Sequence, residues 1–168
     1  MTSRLKHILT IILTTVCFAS CNKTVPAGFW KSYQSDYLKK NISDQGPWGG
    51  HRAMYWKTDN KNTFAAKQVI DFATKNGWEL VDSILFPSDT LGKWKTEHTF
   101  PFTYSDFSDT TMNMEAFPRW IMSEVEVYRF KTGWIAVEPG NARETDKNGY
   151  VTINSDGTEL SVYHLWGE

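Results

Sequence analysis

Tyr150-Val151-Thr152-Ile153-Asn154-Ser155-Asp156-Gly157-Thr158-Glu159-Leu160-Ser161-Val162-Tyr163-His164-Leu165-Trp166 is the stretch that decides the fold. Two runs rich in β-branched and aromatic residues flank Asp156-Gly157, and Asp-Gly between alternating apolar residues is a strong hairpin signal. Working back along the chain, Trp120–Phe130 and Trp134–Glu138 flank Lys131-Thr132-Gly133, which predicts a second hairpin. The last fifty residues therefore read as antiparallel sheet.

The preceding part alternates helix and strand. Thr63–Lys75 carries an apolar stripe of Phe64, Ala65, Val69, Phe72 and Ala73, with Asn62 or Thr63 as cap and Asn76-Gly77 as stop. Trp78–Phe86 follows as a strand, with Trp78, Leu80 and Ile84 on one side and Val81 and Leu85 on the other. His51–Lys57 also reads as a strand, after a loop over Ser43–Gly50 marked by Gly46-Pro47-Trp48-Gly49-Gly50. Phe29, Trp30, Tyr33, Tyr37 and Leu38 recur near helical spacing, which predicts a short helix to Lys40. Pro87–Pro118 is a long, weakly patterned connection with one expected strand at Thr99–Tyr104. The sum is an α+β fold, an antiparallel sheet packed against one or two helices. Asn76-Gly77-Trp78-Glu79-Leu80-Val81 resembles a Gly-Trp-Glu-Leu signature of small βαββ domains, a likeness that bears on fold alone.

The first residues are an address. Arg4, Lys6 and His7 precede an uncharged run over Ile8–Phe18, then Ala19, Ser20 and Cys21. A basic start, a short apolar stretch and small residues describe a secretory signal peptide, too short for a spanning helix of about 20 residues. Phe18-Ala19-Ser20-Cys21 resembles the lipobox of bacterial lipoproteins, with Phe18 where that family usually has Leu. The resemblance implies that Cys21 becomes the acylated N-terminus, carrying palmitate-type chains. Asn22 after the Cys implies an outer-membrane location facing the periplasm. Residues 1–20 are then the signal peptide, 21–28 a tether and 29–168 a single domain.

The chain has 168 residues, with 18 Lys+Arg against 19 Asp+Glu. Removing the signal also removes Arg4, Lys6 and Cys17, which leaves a mature chain of net charge −3. Nothing here is a basic stripe for nucleic acid. With Cys21 acylated, no thiol remains for a disulfide, a nucleophile or a zinc site. His51, His98 and His164 are far apart in sequence and show no local ligand spacing. His164 reads as a sheet residue, and His98 as the histidine to test first. No metal or cofactor site is expected.

The candidate site lies on the final sheet. Alternation along Trp120–Phe130 sorts Ile121, Val125 and Val127 from Trp120, Met122, Glu124, Glu126, Tyr128 and Phe130. The neighbouring segments sort Ile135 and Val137 from Trp134 and Glu138, and Val151 and Ile153 from Tyr150, Thr152 and Asn154. Were these faces to align, one side would be aliphatic. The other would join Trp120, Glu124, Glu126, Tyr128, Trp134 and Glu138 into a binding face of the composition found at interface hot spots. Glu124 and Glu126, two apart on a strand, have the spacing of an acid–base pair, but so does any alternating Glu-x-Glu. The expected function is a lipid-anchored, non-enzymatic binding module for another envelope protein, of immunity or inhibitor type. The alternative is a glycan-binding or glycan-cleaving domain using the same face.

Overall fold

A computed structural model describes residues 26–59, 61–86, 120–137, 144–145 and 147–167. Cys21, His98, Glu138, the expected strand at Thr99–Tyr104 and the whole Pro87–Pro118 connection lie outside the described residues. Among those described, the fold is dominated by one sheet and carries a single α-helix. In chain order the strands are β1 Leu38–Gln45, β2 Gly49–Lys57, β3 Glu79–Phe86, β4 Val125–Lys131, β5 Ala136–Val137, β6 Glu144–Thr145, β7 Gly149–Asn154 and β8 Glu159–Gly167. The helix α1 is Ala66–Lys75, between β2 and β3. Six strands lie side by side in the order β1-β2-β8-β7-β4-β3, all antiparallel; the short β5 pairs with β8 and β6.

The Asp-Gly hairpin forms as read. Gly157 sits at φ +66, a conformation a β-carbon resists, and β7 and β8 pair from Ile153↔Leu160 to Gly149↔His164. The helix starts three residues later than expected. Ala65 stands at its N-cap with no side-chain cap, while Gly77 at φ +90 ends it as the Asn-Gly stop requires.

Three expectations are corrected. Phe29–Lys40 is not a helix: Gly28–Ser32 and Ser35–Tyr37 are two single 3-10 turns, and Leu38 already begins β1. Ala27 and Gln34 adopt left-handed backbone before each turn, which breaks any continuous helix. Tight turns still bring residues three apart together, so Trp30 and Tyr33 reach the same core. The loop over Ser43–Gly50 shrinks to Gly46–Trp48, because β1 pairs with β2 as far as Gln45↔Gly50. The hairpin across Lys131-Thr132-Gly133 does not form. β4 takes β3 and β7 as neighbours, and Ala136 instead bridges Gly167 at the end of β8.

The sheet buries both faces. One carries Met54, Trp56, Tyr128, Phe130, Val151, Ile153, Leu160 and Val162, and shares a core with Trp30, Tyr33, Phe64 and Trp78. Val69 and Ala73 of α1 belong to that core. Trp30 is its centre, with the rings of Phe29, Trp78, Phe72 and Tyr33 all 5.3–5.8 Å away. The opposite face carries Ala53, Tyr55, Val125, Val127, Tyr150 and Tyr163, with Ile121 and Phe86 against them.

Candidate functional site

Register decides which residues meet. Val127 stands opposite Thr152, Tyr128 opposite Val151 and Glu126 opposite Ile153. The aliphatic residues of β7 thus share a face with the tyrosine and glutamate of β4. The alignment expected from sequence is off by one residue, and because side chains alternate, one residue exchanges the faces. Trp120 packs with the Val125–Val127 face, Tyr128 with the α1 face, and Trp134 lies at the far end of β4 beyond Lys131. Glu124 precedes β4, and its carbonyl accepts a hydrogen bond from the Ser155 amide at 3.0 Å, so Glu124 and Glu126 do not share a strand.

Two bulges re-aim charged side chains. In β1, Leu38 pairs with Trp56 and Lys40 with Tyr55, so the register shifts between them. Leu38 and Lys40 would share a face in a regular strand, but the bulge sends Lys40 to the other side. There its Nζ lies 5.6 Å from the centroid of Trp120. In β3 a bulge between Leu80 and Asp82 likewise turns Asp82 onto Arg129, which donates to its carboxylate from Nη2 at 2.7 Å and Nε at 3.2 Å. Leu80 and Ile84 accordingly lie on opposite faces, against the simple alternation.

Around Trp120 a compact cluster results. Its ring is 5.5 Å from that of Tyr55, and the Tyr55 hydroxyl donates to Glu159, which also accepts from Lys57 Nζ at 3.1 Å. Lys57 faces Glu159 across β2 and β8, with Tyr55 two positions along on the same side. Burial first, then the Glu159 hydrogen bond and charge, push the Tyr55 hydroxyl well above its usual range, so it stays a donor. A second tyrosine–carboxylate pair sits on the α1 face. Tyr128 donates to Glu126 at 2.6 Å and Ser83 Oγ to its other oxygen at 3.0 Å; burial first, and then Glu126, raise the Tyr128 pKa.

Lys40, Tyr55 and Glu159 were not legible as site residues. The alternation Ala53-x-Tyr55-x-Lys57 marks a face, but only the β2–β8 pairing and the β1 bulge bring it to Trp120.

His164 is buried, between Trp78 and Trp166 at ring distances of 5.4 and 5.2 Å. Its Nε2 meets Thr132 Oγ1 at 3.0 Å, and Thr132 donates to Asn148 Oδ1 at 2.6 Å. Asn148 in turn donates to the Leu165 carbonyl. Thr132 therefore accepts from an Nε2–H tautomer, and Nδ1 has no hydrogen-bond partner among the described residues. Burial, with Arg52 second, holds its pKa down at about 3. This is a structural histidine, and no three metal-ligating side chains converge among the described residues.

The chain matches no protein-family model, no curated protein and no solved structure.

Proposed function

We propose that this chain is a lipid-anchored protein of the bacterial envelope that binds another envelope protein through the Trp120 cluster and performs no chemistry itself. Cys21 carries the lipid, and the domain sits in the periplasm at the outer membrane. An immunity or inhibitor protein facing a periplasmic toxin is the concrete form of this reading. We read the fold as α+β, the one helix packed on one sheet face and the Trp120 cluster on the other.

The observation that supports it is the half-buried Trp120, held by Tyr55 and overlain by Lys40 beside the Glu159–Lys57 pair. A Trp and Tyr anchor ringed by charges of both signs is the make-up of an interface hot spot. Lys40 lies over the ring by a cation–π contact, free to turn to an acidic group of a partner when the ring is covered.

The test begins with a partner captured on the full chain from envelope extract, then purified and titrated against wild-type and Trp120→Ala chains. A loss of affinity of about tenfold or more is expected. Unchanged affinity would refute the site. If no protein binds and cell-wall fragments instead change the tryptophan fluorescence, with the response lost in Trp120→Ala, the glycan reading replaces this one.

A further inference from the structure

One corner of the sheet, where β2 begins and β8 ends beside β5, exposes large apolar side chains. There the turn Gly46–Trp48 and the segment Thr132–Ile135 contain no charged residue, while Glu79, Lys131 and Lys147 stand across the same end at β3, β4 and β7. The turn and the segment lie on either side of Gly167, which faces Gly49 across β2 and β8 and donates its amide to the Ile135 carbonyl at 2.8 Å. Trp48 and Ile135 thus flank one glycine, about two strand spacings or 10 Å apart. Trp48 is 74% exposed, Ile135 50% and Trp134 39%. At the opposite end stand Asp59, Lys61 and Asp156, a charged and solvated rim.

The first described residue, Pro26, lies nearer the Gly49 end of β2 than its Lys57 end. Pro26 is buried and its carbonyl accepts a hydrogen bond from Arg52 Nε at 3.1 Å, three residues into β2 from Gly49. The chain then runs to Tyr33, whose carbonyl accepts from Trp56 Nε1 at 2.8 Å, so its course is away from Gly49 and toward Lys57. Four residues separate Cys21 from Pro26, and the five steps between them reach at most about 18 Å in any conformation. Trp48 is four residues from Arg52, about 13 Å along β2. A lipid on Cys21 therefore lies within reach of the same bilayer that would meet Trp48, whereas Asp59 at the opposite end is seven residues from Arg52, about 23 Å if extended.

We infer that the Trp48–Trp134–Ile135 corner is a membrane-contact surface, seated among the headgroups of the bilayer that holds the Cys21 lipid. Tryptophan prefers that zone, where its ring is half apolar and its N–H stays wet. The inference rests on the lipid-anchor reading and deepens it. It orients the domain, leaving the Trp120 cluster, which lies by Tyr55 toward the Lys57 end of β2, turned from the membrane and open to a periplasmic partner.

The experiment uses the full lipidated chain in phosphatidylethanolamine–phosphatidylglycerol vesicles whose acyl chains are brominated, a contact quencher of tryptophan. Quenching is expected in the wild type, reduced at least about twofold in the double variant Trp48→Ser/Trp134→Ser, since these are interface-type rings and Trp30, Trp56, Trp78 and Trp166 are buried. Near-ultraviolet circular dichroism checks that the variant keeps its core. Absence of quenching, or quenching unchanged in the double variant, overturns the surface. Palmitate labelling reads the anchor separately. A chain that takes no label yet shows Trp48-dependent quenching with the same vesicles removes the anchor and supports the surface; labelled protein without that quenching keeps the anchor and removes the surface.

Discussion

Arg52 and His164 stand opposite each other across β2 and β8, and both are buried. The guanidinium is held by neutral partners, the Pro26 carbonyl, Asn41 Oδ1 and Ser43 Oγ. Two bases on one face cannot both be charged cheaply, and the one that yields is the histidine. Arg52 thus ties the entering chain to the sheet, while His164 stays neutral beneath it.

That neutrality makes stability pH-dependent. His164 titrates near 6.5 when unfolded and at about 3 when folded, so between these values the unfolded state binds more protons. Stability is therefore full above pH 6.5 and falls as pH drops toward 3, with a slope approaching about 1.4 kcal/mol per pH unit from this group. Urea midpoints measured from pH 7 to pH 4 should decline, and His164→Gln should flatten that decline. An equally steep decline in the variant would assign the effect to other groups.

Thr132 links His164 to Asn148 by a single hydroxyl. Thr132→Val keeps the shape and leaves two buried polar groups unpaired, at a cost of about 2–4 kcal/mol. Chemical denaturation gives the value; a loss below about 0.5 kcal/mol would mean that the network contributes nothing.

Trp30 and Trp48 should respond oppositely to truncation. Trp30→Ala empties the centre of the aromatic core and is expected to cost about 3–5 kcal/mol. Trp48→Ala removes an exposed ring and should change stability by less than about 0.5 kcal/mol. Thermal melts of the two variants, side by side, test whether the core has been assigned correctly.

Gly167 has φ +80, and an added β-carbon there would fall on the Trp48 carbonyl oxygen. Gly167→Ala should therefore separate the end of β8 from β2, costing about 1–3 kcal/mol from the backbone alone. Hydrogen exchange would localise the damage, with amides around Gly49 and Gly167 losing protection while those of β7 keep theirs.

Local rules carried far along some segments and failed at others for identifiable reasons. Asp156-Gly157 fixed a hairpin because the turn and its strands are contiguous. Asn76-Gly77 fixed the end of α1 because a left-handed glycine acts on the residues beside it. The aromatic run from Phe29 had helical spacing but became two turns and a strand, since Trp30 and Tyr33 gain more from Trp56, Phe72 and Trp78 than a helix would give them. Of the expected site residues, Trp120 gained partners that alternation could not name, Tyr128 went to the core under α1, and Trp134 went to the far end of the sheet.

The sequence by itself determined the sheet-rich character, the Asp-Gly hairpin and the helix between two strands. These depend on interactions within a few residues. Tertiary structure alone decided the strand order, the one-residue offset of β4 against β7, the bulges that aim Lys40 and Asp82, and the placing of Trp48 and Ile135 on either side of Gly167. Each of these is set by packing between distant segments, and because strand side chains alternate, a single residue of register moves every one of them to the opposite face.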